Sequence, residues 1–200
     1  MTAHIFETTA TSADYRLTQS ERERAALYLE QTRNEIVGAL RNVTESQWNF
    51  KPGSGGWSIA EIVEHVIAVQ QLVLGPVRQK LEAAPAGPVH HADCRLIDDI
   101  VIYQIPSRLA KFPSPLQPPG GLRVSEAVDQ LKASYAQLRE RLDKTEDLRS
   151  RSIESPPLKA ISKGVYQLMD GYQWILAAAA HTERHTKQIL EVLADPGLPS

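Results

Sequence analysis

Across four long stretches of this chain, apolar residues recur at intervals of three and four, and almost nowhere do they alternate. That period belongs to helices that bury one face, so it restricts the fold to the all-α class. The first stretch covers about 18–47, with Leu29, Ile36, Val37 and Leu40 on one side and Glu and Arg on the other. The second, 58–82, aligns Ile62, Val66, Val69 and Val73. The third, 125–147, aligns Val128, Leu131, Tyr135, Leu138 and Leu142, and the fourth, 170–194, Trp174, Ile175, Ala178, Ile189 and Val192. Four such segments predict a four-helix bundle. A length of 200 residues suits one domain over 1–200, with room for a sizeable core.

Local signals mark the helix ends. Ser58 and Glu61 have the spacing of a capping box, and Trp57 and Ile62 occupy the staple positions around it. Asp170 and Gln173 repeat the box before the fourth helix, and Pro196 and Gly197 follow its end. Gly75 and Pro76 are expected to kink the second helix or end it early. Between the second and third helices lies a connection over 83–123 that holds Pro85, Pro88, Pro106, Pro113, Pro115, Pro118 and Pro119. It is long enough to cross the bundle, which leaves those two helices parallel, and loops of this length usually carry function. Its apolar run from Ile100 to Ile105 reads as a short helix or an extended segment.

Composition removes several function classes. The net charge is -2 with acids and bases interspersed, so neither nucleic acid nor an anionic membrane is an expected partner. Cys94 is the only cysteine, which rules out an intrachain disulfide and fits a cytoplasmic setting. The opening residues lack a basic patch before an apolar run, so no secretory leader is expected. No apolar stretch is expected to reach the roughly 20 residues that span a bilayer. The longest, Trp174 to Ala180, stops at His181.

The chemistry lies in the histidines. His181 and His185 are four apart in the fourth helix, so their rings stack on the face that also carries Trp174, Ala178, Gln188 and Val192. His65 lies among Ile62, Val66 and Val69 and points inward from the second helix. Each alone reads most simply as a hydrogen-bonded core histidine. Together they put three imidazoles with few acceptors into one interior, where desolvation is costly and a metal would satisfy all three. Three histidines with an open position form a known catalytic metal arrangement. The residue after His181 is Thr182, not the Glu of a zincin. A di-iron carboxylate bundle needs Glu three before each His, where Ile62, Ala178 and Thr182 stand. Phosphate-loop and Gly-x-Ser-x-Gly patterns are absent. His90, His91 and Cys94 read as solvated loop rather than ligands, and Arg22, Arg24 and Arg33 as a solvated helix face.

The run Trp57-Ser-Ile-Ala-Glu-Ile-Val-Glu-His65-Val resembles the second-helix start of the DinB-like (damage-inducible) metal-dependent bundles. The run His181-Thr-Glu-Arg-His185-Thr-Lys-Gln188-Ile resembles their last helix, and the likeness extends over about 18–193. The resemblance implies an up-down-down-up bundle, often dimeric, with His65, His181 and His185 at the three ligand positions for zinc, nickel or iron. Similar proteins include bacillithiol S-transferases and mycothiol-dependent maleylpyruvate isomerases. By that likeness the expected function is a thiol S-transferase or related hydrolase, with a low-molecular-weight thiol cosubstrate and a small-molecule electrophile. Trp174 and Gln188 would line its pocket. The alternative is a non-catalytic metal- or ligand-binding stress-response module. A histidine phosphotransfer role would need an exposed His, whereas all three candidates lie among apolar neighbours.

Overall fold

The computed structural model describes residues 16–53, 55–87, 93–107, 118 and 120–200. Helix α1 spans Gln19–Ala39 and begins at a capping box, with Glu21 N–H donating to Thr18 Oγ1 and Thr18 N–H to the Glu21 carboxylate. The expectation of one helix over 18–47 is corrected here. The chain turns at Leu40, and Thr44 opens a second box with Gln47 that starts the short α2, Glu45–Trp48. A new cap inside an apolar period lets the chain change direction while Trp48 still reaches the core.

Helix α3, Ile59–Leu72, begins at the Ser58–Glu61 box, and Lys51 adds an ion pair to Glu61 at 2.8 Å. The disturbance expected at Gly75 and Pro76 is present, but it does not end the helical path. Val73–Val77 form a π-helical turn, whose wider pattern accommodates the missing proline N–H. The helix resumes as α4, Arg78–Ala83. By length and composition, the continuous segment Ile59–Ala83 is apolar enough to cross a membrane, contrary to the sequence expectation. More than half of its most apolar window is buried against the protein itself, as in a core helix.

Within the connection, Cys94–Gln104 form α5, which buries Ile97, Asp98 and Val101. The Ile100–Ile105 run is thus helical through Gln104, with Ile105 as the cap. Helix α6 covers Val124–Lys144. Two three-residue strands then pair antiparallel: β1, Ser152–Glu154, and β2, Leu168–Asp170, with Ile153 opposite Met169. Between them lies α7, Pro156–Ile161. Helix α8, Gly171–Leu193, begins at the Asp170–Gln173 box. Apart from the small ladder, the described residues form an all-α fold.

Helices α1 and α3 each pack against both α6 and α8, and α5 packs against α8. Ile36, Ile62, Leu131, Leu138, Ile175 and Ile189 are fully buried where these faces meet. Each such side chain contributes about 1.5–3 kcal/mol relative to exposure. A polar layer crosses the same core. Tyr135 Oη donates to Thr32 Oγ1 at 3.0 Å, and Gln70 Nε2 to Thr182 Oγ1 at 3.3 Å.

A second buried cluster ties the start of α8 to its surroundings. The Arg149 guanidinium donates to Asp170 at 2.8 Å, Asp98 at 2.6 Å and Glu21 at 2.7 Å. It also lies 4.4 Å from the centre of the Tyr172 ring, and Gln173 donates to Asp98 at 3.1 Å. One cation thus joins α1, α5 and the cap of α8.

Candidate metal centre

His65 sits in the second turn of α3, fixed in phase by the Ser58 cap. His181 and His185 lie mid-way along α8, one turn apart. Because α3 and α8 pack together, the three imidazoles meet. His65 Nε2 and His181 Nε2 are 3.1 Å apart, and ring centroids lie 4.9, 4.9 and 4.4 Å from one another. One ligand atom from each ring falls within 4.8 Å of the other two. Ligand nitrogens on a tetrahedral zinc are about 3.3 Å apart, given Zn–N bonds of about 2.0–2.1 Å. The closest pair therefore already has coordinating separation, and the donor set is one a divalent metal accepts.

The electrostatics agree. Burial, reinforced by the neighbouring His185, His65 and Arg184, holds His181 well below the ordinary histidine pKa of 6.5. Neutral imidazole is the form that binds metal. The buried Nδ1 of His181 has no hydrogen-bond partner within the protein. His185 Nδ1 lies 2.9 Å from Gln188 Oε1, which fixes the tautomer and leaves Nε2 with its lone pair. Gln188 is thus a partner of a candidate ligand. Trp174 is a buried residue two turns before His181 with its Nε1 unpaired, and the ring contacts of the triad run to Trp57 instead.

Sequence reasoning missed two neighbours. Trp57, read only as a staple, places its indole 5.0 Å from the His65 ring and 6.4 Å from His185. Glu64 is buried beside His65 and accepts the backbone N–H groups of Gly120 and of Leu122, the latter at 2.9 Å. It pins the returning crossover to α3. Trp57 could have been singled out from its place in the cap, whereas a lone Glu in an apolar helix carries no pattern.

Other candidates lie elsewhere. His90 and His91 fall outside the described residues. Burial pushes the Cys94 thiol up to about 11, which opposes a nucleophilic role. Arg22 is not simply solvated, since it donates to the carbonyls of Leu142 and Thr145 at the end of α6. Arg24 pairs with Asp99 at 2.7 Å. A cavity of about 600 Å³ opens between α1 and α6, lined by Val37, Leu40, Arg41, Val124 and Val128, and includes none of the three imidazoles.

The sequence profile of the DinB superfamily matches residues 28–189, a span that holds all three histidines. The chain belongs to the DinB superfamily. Members of this superfamily often bind metal, and the three-histidine cluster is compatible with that property. The chain is also similar to the uncharacterized protein YuaE of Bacillus subtilis (strain 168). The two are 24% identical over 170 residues, covering 81% of this chain and 93% of the relative. No solved structure matches the chain significantly.

Proposed function

We propose that this DinB-superfamily protein is one up-down-down-up four-helix-bundle domain that holds a divalent metal through His65, His181 and His185. In this reading it serves as a thiol-dependent S-transferase or related hydrolase acting on a small electrophile. Several residue pairs support the topology. Glu21 meets Tyr172 and Tyr28 meets Glu183, so contacts rise together along α1 and α8. Arg22 meets Leu142 while Thr32 meets Tyr135, so they run oppositely along α1 and α6. Glu64 meets Leu122 and Gln71 meets Ser134, so α3 and α6 run together across the long connection.

The observation that carries the functional reading is the convergence of three imidazoles, from two helices, to within 4.8 Å. A cation bound there supplies Lewis acidity that brings a thiol or water toward ionisation near neutral pH. The chain's own groups do the rest. Gln188 orients His185, and burial keeps His181 neutral. Among the described residues no carboxylate or thiol joins the three rings as a fourth ligand, so positions remain for exogenous groups. Glu61, one turn before His65, is occupied by the Ser58 cap and Lys51.

The commitment of Glu61 to its cap and to Lys51 favours the second reading, a metal- or ligand-binding stress-response module. Elemental analysis of protein purified without added metal tests the site. We expect close to one equivalent, lost in His181→Ala. Full occupancy in that variant would refute the ligand assignment. Turnover of a thiol and electrophile panel by the loaded protein, abolished in His181→Ala, separates enzyme from module.

A further inference from the structure

Trp57 is the residue just before the Ser58 cap, so its backbone is fixed by the box that starts α3. Its indole touches two of the three imidazoles differently. It meets His65 edge-to-face at 61° and lies nearly parallel to His185 at 16°. His65 and His185 are both buried, whereas His181, which has no such contact with the indole, keeps a partly exposed side chain around its buried Nδ1. The indole therefore forms a wall along the His65–His185 edge and leaves the His181 side as the approach.

We propose that Trp57 is a positioning residue for the three-histidine site. It restricts the ring torsions of His65 and His185 and directs exogenous ligands past His181. This rests on the metal-binding reading above. Two physical effects combine. An imidazole ring in a terminal sp³–sp² torsion has a broad rotational well, so a neighbouring plane is needed to narrow it. In addition, an imidazole bound to a cation is electron-poor, and the negative face of an indole favours that state over the free ring. Gln188 fixes His185 from its Nδ1 side, and Trp57 fixes it from its face.

The test compares Trp57→Phe, which keeps an aromatic plane, with Trp57→Leu, which keeps apolar volume without one. Both are titrated with Co²⁺ and followed by the visible ligand-field spectrum. Trp57→Leu should bind about tenfold more weakly, as for other groups that orient metal ligands, with a shifted spectrum. Trp57→Phe should restore the wild-type spectrum and affinity to within about threefold. A structural role alone would lower the melting temperature of the metal-free protein and leave the spectrum unchanged. Quenching of indole emission by Co²⁺ in the wild type, lost in Trp57→Phe, reports on the same contact. Wild-type affinity and spectrum in Trp57→Leu would overturn the proposal while leaving the metal site standing. Failure of the wild type to bind Co²⁺ would overturn both.

Discussion

Replacing Arg149 with Met removes the cation that contacts Asp98, Asp170 and Glu21 together, while keeping apolar bulk. Three charge-assisted hydrogen bonds of 2.6–2.8 Å are lost, along with the contact to the Tyr172 ring. At about 1.5–3 kcal/mol each, the bonds alone set an upper bound of roughly 5–9 kcal/mol. Such deletions are not additive, and removal of one partner from a buried ion cluster costs about 3–5 kcal/mol. We expect that loss in urea unfolding at pH 7.5, with a fall in melting temperature of roughly 6–20 °C for a chain of this size. The pH dependence is a second signature. Burial outweighs the attraction of Arg149, so Asp98 is raised and Asp170 is pushed up to about 6 from 3.8. The folded state therefore binds more protons than the unfolded chain in that window, and this contribution to stability declines as pH rises through it. Without Arg149 the carboxyls rise further, so the variant's deficit should be larger at pH 7.5 than at pH 5. A deficit below about 1 kcal/mol, or one independent of pH, would refute the view that Arg149 neutralises this cluster.

Three further outcomes are expected. Gln188→Ala should weaken metal binding about tenfold by releasing His185 Nδ1, read by competition with a chromogenic chelator; unchanged affinity would remove Gln188 from the site. The unfolded chain protonates His181 near 6.5 while the folded protein resists, so the metal-free protein should lose stability as pH falls below about 6.5. His181→Leu should reduce that slope, as seen in melts between pH 5 and 8. Glu64→Gln weakens a buried acceptor of two backbone amides and should cost about 1–3 kcal/mol, with faster hydrogen exchange at Gly120 and Leu122; protection equal to wild type would refute the pinning role.

Helix caps were legible because they are local. Ser58 with Glu61 and Asp170 with Gln173 mark their helices within one residue, and the inward period placed His65 opposite His181 and His185. The break at Leu40 was hidden because Val37 and Leu40 continue the apolar period up to Thr44, although Thr44 and Gln47 carry the same cap spacing. The strands β1 and β2 are three residues each, too short for alternation to register, and the end of β2 is Asp170, which also contacts Arg149 and Gln173. Arg149 itself stands in a polar stretch, where only the fold reveals that three carboxylates converge on it. Trp57 was visible as a staple, but ring contact with the histidines depends on the depth at which α8 seats against α3.

The amide clamp at Glu64 joins the approach to α6 to the turn of α3 that carries His65. Only one peptide unit separates the clamp from the first imidazole, so a shift of Gly120 or Leu122 is passed to the histidine cluster without crossing the apolar core. The register between α3 and α6 and the placement of His65 are therefore inherited together.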